Sequence, residues 1–245
     1  PINFLKIDQG SAPDQPSLLE VLNFKAEFCS FAAILGSPVQ HSLTPEFHRD
    51  YFAKKKSNVL RIDIKKEELS EALPFLQELG LRWAAVTSPL KEEMAKLTQS
   101  PLNSVNTIIW KNQAWKTANT DSQGYKHLAR DFEKSPKVVW GGGGTLGSLQ
   151  ADENPLSFYS SRSGELKGEG EPIHPEVLVW AVGRKHFDLK GVFPPRDWPI
   201  KMVLDLNYSQ DSPGIECAAL FGCQYRSGLD MFVGQAKAQQ EFWNE

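Results

Sequence analysis

Short apolar, β-branched runs alternate along this chain with stretches whose apolar residues return every three or four positions. That alternation limits the possible folds more than any other feature. FAAILG (Phe31–Gly36), VLRIDI (59–64) and WAAVT (83–87) read as strands, and residues 44–56 and 66–79 between them carry helical spacing. SVNTIIW, KVVW, LSFY, VLVWAV and MVLDL continue the strand series. Strands separated by amphipathic helices build βαβ units, so an α/β protein with mostly parallel sheet is predicted. Residues 125–132 are predicted to form a helix joining two sheets, and residues 231–243 a closing helix. The stretch 160–175, rich in Gly, Ser and Glu, reads as an exposed loop.

The chain of 245 residues is long enough for one large or two small domains. A net charge of −3 gives no electrostatic support for binding nucleic acid or a membrane surface. No apolar run approaches the roughly 18 residues needed to span a bilayer. Cys29, Cys217 and Cys223 have no metal-type spacing, and with no N-terminal signal pattern a reduced, cytoplasmic protein is expected.

Five segments carry polar residues suited to chemistry. In GSPVQHSLTPEFHRDYF (36–52), Ser42 and Thr44 precede Pro45 at a helix start. They read either as capping hydroxyls or as a pair aimed at a polyol. His41 and His48 read as turn and helix-surface residues, since no third ligand stands at a metal-binding spacing. In TSPLKEEM (87–94), Ser88 and Pro89 fit the N-cap and first helical position, and Glu92 and Glu93 suit the positive end of the helix dipole. Lys91 does not suit it, because a cation there opposes the same dipole. In SVNTIIWKNQAWKTANTDSQGY (104–125), a hairpin is expected whose second arm ends in Asn119-Thr120-Asp121.

The fourth segment, KVVWGGGGTLG (137–147), runs a strand into four glycines and a helix start. That arrangement lets backbone N–H groups approach a pyrophosphate, with Gly141, Gly142, Gly143, Gly144 and Gly147 as the cradle. About 20 residues further on, NAD enzymes place an acid on the ribose hydroxyl, whereas an arginine accommodates the 2′-phosphate of NADP. Ser161-Arg162-Ser163 stands there, which favours NADP. The fifth, SGLDMFVGQAKAQQEFW (227–243), places Gln235 on the closing helix.

In order and spacing these segments resemble shikimate dehydrogenases over residues 30–243. The family's H-S-x-S-P is His41-Ser42-Leu43-Thr44-Pro45, and its N-V-T-x-P-x-K is Ala85-Val86-Thr87-Ser88-Pro89-Leu90-Lys91. Its V-N-T and N-T-D-x-x-G are Val105-Asn106-Thr107 and Asn119-Thr120-Asp121-Ser122-Gln123-Gly124. The glycine loop and a terminal segment ending in Gln235 complete the order. Ala85 and Thr44 depart from the family's Asn and Ser.

The resemblance implies that Lys91 and Asp121 are the catalytic pair, and that Ser42, Thr44, Thr87, Asn106 and Gln235 hold the ring of shikimate or 3-dehydroshikimate. It implies an N-terminal α/β substrate domain (30–122 with 227–245), a reduced Rossmann-like NADP domain (123–226), and a cleft between them. The reaction implied is NADP-dependent reduction of 3-dehydroshikimate. A quinate or related polyol dehydrogenase and a catalytically weak binding or scaffold protein are the alternatives. FLKIDQGSAPDQPSLLEVLNF (4–24) resembles the last strand and S-A-P-x-Q loop of type I 3-dehydroquinate dehydratases. Residues 1–29 then form an N-terminal extension, with a fused or associated dehydratase as partner.

Overall fold

The computed structural model describes residues 30–40, 42–142, 156–167 and 174–245. The expectations for residues 1–29, for His41 and for Gly143, Gly144 and Gly147 fall outside the described residues. The chain divides into two compact units, one of residues up to Thr120 together with Gln239–Glu245, the other Asp121–Ala238. The motifs had suggested divisions after residues 122 and 226.

The first unit holds strands β1 (Phe31–Gly36), β2 (Val59–Asp63), β3 (Leu81–Val86), β4 (Thr107–Lys111) and β5 (Ala114–Ala118). Helices α1 (Thr44–Lys54), α2 (Leu69–Glu78) and α3 (Lys91–Leu97) connect the early strands. The sheet order is β2-β1-β3-β4-β5, parallel around β1 and antiparallel from β3 onwards. FAAILG is apolar throughout because β1 is central and covered on both faces. Its alternate residues divide accordingly. Ala33 and Leu35 pack with Leu69 and Leu73 of α2, Met94 of α3 and Leu90 just before it. Ala32 and Ile34 pack with Phe52 of α1 and with Trp83, Ala85 and Trp243.

The β4–β5 hairpin turns on Asn112 and Gln113, both left-handed with φ of 54° and 62°. A two-residue turn of that kind matches strand twist. Trp110 and Trp115 face each other across it with ring centroids 5.1 Å apart.

Three local expectations are corrected. Helix α3 begins at Lys91, not at Ser88–Pro89; those two lie in a turn closed by Leu90 N–H on Thr87 O at 2.9 Å, before helical bonding starts. The second hairpin arm ends at Ala118, and Asp121 opens the next helix. His48 is fully buried, not on the helix surface, because α1 turns that face toward Phe52 and Trp243.

The second unit is a six-stranded sheet in the order β11-β10-β9-β6-β7-β8. Its strands are β6 (Lys137–Gly141), β7 (Ser157–Tyr159), β8 (Leu166–Lys167), β9 (Val177–Ala181), β10 (Met202–Asp205) and β11 (Gln224–Arg226). Helices α4 (Asp121–Ala129), α5 (Arg184–Lys190), α6 (Pro213–Phe221) and α7 (Leu229–Phe242) accompany them. All neighbours pair in parallel except β7 and β8. The chain winds outward from β6 on one side and from β9 on the other, which is the doubly wound order with its switch point between those two strands.

The return of the chain after β7 has a simple cause. A parallel connection needs a dozen or more residues. Here Ser160 N–H reaches Glu165 O at 2.8 Å and Gly164, at φ +75°, turns the chain straight back. So β8 lies antiparallel within the stretch expected to be loop. Below the sheet Val139, Val179 and Leu204 pack with Tyr125, Leu128 and Met231; above it Trp140, Trp180 and Val203 pack with Cys217 and Ala218.

Helix α7 is assigned to both units, and the reason lies in its first turns. A Cβ on Gly124 would lie 2.7 Å from Met231 O, and one on Gly234 would lie 2.5 Å from His127 Cβ. Helices α4 and α7 therefore cross at glycines, backbone to backbone, and residues up to Ala238 belong with α4. No described helix is long and apolar enough to cross a membrane.

Candidate active site

In the first unit, the candidate residues gather beyond the C-terminal ends of β1 and β3, where open α/β sheets bind their ligands. Ser42 Oγ donates to Thr44 Oγ1 at 3.0 Å and accepts the Thr44 N–H at 3.3 Å, so the two hydroxyls are held together. Arg61 fixes their loop by donating to Ser42 O at 3.1 Å. Thr87 follows β3, with its N–H on Leu35 O at 2.9 Å and its methyl against Gly36, where an added Cβ would be 2.3 Å away. Lys91 is half-buried in the first turn of α3, and its carbonyl accepts the Val105 N–H at 3.0 Å. Glu92 and Glu93 in the same turn supply the negative charge that the dipole favours and Lys91 does not.

Asn106 is 2% exposed and its side chain joins β4 to the end of the hairpin. Its Oδ1 accepts Thr120 N–H at 2.9 Å and the Thr107 hydroxyl at 2.8 Å, while its Nδ2 donates to Thr120 Oγ1 at 3.1 Å. Ala85, where the family has Asn, is buried in the apolar cluster with Ile34 and Phe52.

Beside these residues His48 makes two hydrogen bonds, Nε2 with Gln239 Oε1 at 3.1 Å and Nδ1 with the Gln240 amide at 3.0 Å. Burial pulls its pKa down from 6.5 to about 4, against the opposing bond to Gln239. The neutral ring is the folded form, whereas the unfolded chain takes up the proton below 6.5. Stability is therefore full above pH 6.5 and is lost as pH falls from there toward 4, by about 3 kcal/mol in all. Urea unfolding at pH 7 and pH 4.5 checks this: His48→Gln is expected to flatten the difference, and an unchanged difference would assign the acid sensitivity elsewhere.

In the second unit, Asp121 is buried at the first position of α4. The glycine crossing sets Gln235 Cβ 3.0 Å from a Cβ built on Gly124. Gln235 thus lies beside the turn of α4 that Asp121 opens.

A cavity of about 470 Å³ opens at the switch point of this unit. Gly141 and Gly142 form one wall, at φ of +89° and +99°, conformations that side chains rarely adopt. Ser160, Ser161 and Arg162 form a second wall on the β7–β8 turn, where Ser160 Oγ accepts the N–H groups of Arg162 (3.3 Å) and Ser163 (3.2 Å). Val182, Gly183 and His186 close the third. Ser163 belongs to the turn but not to the lining.

Lys167 also lines the cavity, donating to Gly141 O at 3.2 Å. Sequence reasoning missed it, along with Gly183 and His186; only the antiparallel course of β8 brings Lys167 back beside β7. Glycines without Cβ atoms at the end of β6, hydroxyls and two cations fit a phosphate-bearing dinucleotide. Among the described residues no cluster of three His, Cys, Asp or Glu side chains offers a metal site.

The family model for the shikimate dehydrogenase substrate binding domain matches residues 34–109. A shikimate dehydrogenase (NADP(+)) from Moorella thermoacetica is 30% identical over 86% of this chain and 86% of its own length. The chain belongs to the shikimate dehydrogenase family. The fold agrees with solved members: shikimate dehydrogenase from Aquifex aeolicus superposes with a TM-score of 0.72 at 24% identity, covering 88% of this chain and 92% of that one. Shikimate 5-dehydrogenase from Thermus thermophilus, solved in complex with NADP(H) and shikimate, gives 0.67 at 20% identity over 87% and 93%.

Proposed function

We propose that this protein catalyses the NADP-dependent reduction of 3-dehydroshikimate to shikimate, in the pathway that leads to aromatic amino acids. The observation that carries the reading is the cavity at the switch point, with Arg162 beside glycine-only backbone, in a chain that keeps the family's lysine and aspartate. Gly141, Gly142, Ser161 and Arg162 would hold the dinucleotide, with Gly143, Gly144, Gly147 and Ser163 as further family positions, and NADP held there would supply the hydride for the substrate carbon.

Reduction of the carbonyl consumes one hydride and one proton. Lys91 donates the proton to the substrate oxygen as it becomes a hydroxyl, and takes it back in the reverse direction. Asp121 is its charge partner and accepts a hydrogen bond from the ring. Ser42, Thr44, Thr87, Asn106 and Gln235 bind the carboxylate and the remaining hydroxyls. Residues 30–122 with the closing helix act as the substrate domain and residues 123–226 as the NADP domain. Working in the cytoplasm suits three cysteines without metal-type spacing. Residues 1–29 keep their resemblance to the dehydratase loop, which makes a joined or associated 3-dehydroquinate dehydratase the proposed partner.

Ala85 favours one second reading, oxidation of quinate, since a methyl in place of an amide removes a ring hydrogen bond. Spectrophotometric assays of shikimate and quinate with NADP and NAD decide between them. A protein that binds NADP yet oxidises neither ring would end both. For the cofactor, Arg162→Ala is expected to weaken NADP by about 1.5–3 kcal/mol, the worth of a charge-assisted contact, and to leave NAD unchanged. Equal losses for the two would remove Arg162 from the phosphate site.

A further inference from the structure

Two passages of the chain link the units, Thr120 into Asp121 and Ala238 into Gln239, and both are tied to one residue. Asn106 holds the first through its side chain, with Thr120 N–H on Oδ1 at 2.9 Å. It holds the second through its carbonyl, which accepts Gln239 Nε2 at 3.3 Å. Gln239 is itself held. The Gln240 amide donates to His48 Nδ1, which leaves the ring proton on Nε2 to be donated to Gln239 Oε1. The donors thus run one way, from Gln240 through His48 and Gln239 to the Asn106 carbonyl.

Stability alone does not call for this chain. His48 and Gln239 are 0% and 3% exposed in an aromatic setting of Phe52 and Trp243, and apolar side chains of the same volume would pack there without desolvating an imidazole and an amide. A buried polar network of this kind fixes one geometry at the expense of stability. It ends on Asn106, whose carbonyl also accepts the Val86 N–H at 2.8 Å and whose side chain holds the main chain at Thr120, the residue before Asp121.

We propose that Gln239, supported by His48, is a positioning residue for catalysis: acting through Asn106, it sets where Asp121 begins α4. This rests on the reading of Asp121 as partner of the reacting oxygen. Neither side chain touches substrate in this role. Gln239→Met keeps the volume and removes both hydrogen bonds.

The test is a double-mutant cycle on the full chain, following kcat for shikimate oxidation, NADP affinity by tryptophan fluorescence, and thermal unfolding. In the otherwise native protein Gln239→Met is expected to lower kcat about tenfold, with NADP affinity within twofold. In an Asp121→Ala background the same change is expected to leave kcat where it was, because the group being positioned is gone. A residue needed only for packing would lower kcat by the same factor in both backgrounds, and that result would overturn the proposal, as would an unchanged kcat in the native background. His48→Leu cuts the chain one link earlier and is expected to give the same pattern, which keeps the test decisive if Gln239→Met does not fold. Failure of the functional reading looks different: there, Asp121→Ala alone leaves kcat intact.

Discussion

Replacing Lys91 with alanine is expected to lower kcat for shikimate oxidation by about 10²–10⁴, the usual contribution of a positioned acid–base group. Lys91 stands in the first turn of α3, where the dipole disfavours a cation and two neighbouring glutamates offset it. The proposed acid–base role accounts for a lysine where local stability does not favour one. Substrate affinity is expected to fall much less, since the contacts proposed for Ser42, Thr44 and Gln235 do not involve Lys91. Asp121→Asn acts on the same step, and the double variant is expected to be less than additive. Steady-state kinetics of the four proteins check this. An intact kcat in Lys91→Ala would make Lys91 a surface lysine and leave the dehydrogenase reading without its chemistry.

Much of the fold was legible because it is encoded locally. FAAILG became β1 residue for residue, and the strand–helix alternation gave the parallel sheets. The hairpin expected within residues 104–125 is there, and the structure places its turn at Asn112 and Gln113. What failed locally failed for a reason. Ser-Pro reads as a helix start, yet a turn at Thr87–Leu90 used both residues before α3 began. His48 looked like a surface histidine because its burying partner, Trp243, lies at the far end of the chain. The same holds for the site. Asn106 was visible in its motif, but its bond to Gln239 spans 133 positions. Lys167 had no motif at all, since its place depends on a strand of two residues running backwards.

The largest loss of stability is expected at Asp205, a residue outside every motif. It ends β10 with 0% exposure. Its Oδ1 accepts the Asn207 N–H at 2.8 Å and the Asn207 amide at 2.9 Å; its Oδ2 accepts the hydroxyls of Ser212 and, at 3.0 Å, Tyr225. Burial pushes its carboxyl above the usual range, and the donors on Ser212, Asn207 and Tyr225 pull it back. The network reaches the cavity at the switch point, because Asn207 also donates to Val182 O at 3.1 Å, and Val182 lines the wall. Asp205→Leu removes the acceptor from the Ser212, Asn207 and Tyr225 donors at a crowded place, Gly214 being so close that a Cβ there would lie 2.3 Å from Oδ2. The expected cost is about 3–5 kcal/mol, since several hydrogen bonds to a charged group, worth about 1.5–3 kcal/mol each, go at once. Asp205→Asn keeps the acceptor facing Asn207 and sets an amide against two hydroxyls that can rotate to accept from it, so about 1–2 kcal/mol is expected. Urea unfolding of both variants, with NADP affinity measured beside it, makes the comparison. Equal losses for Leu and Asn, or a Leu variant as stable as the native chain, would mean that Asp205 does not hold the wall of the cavity together.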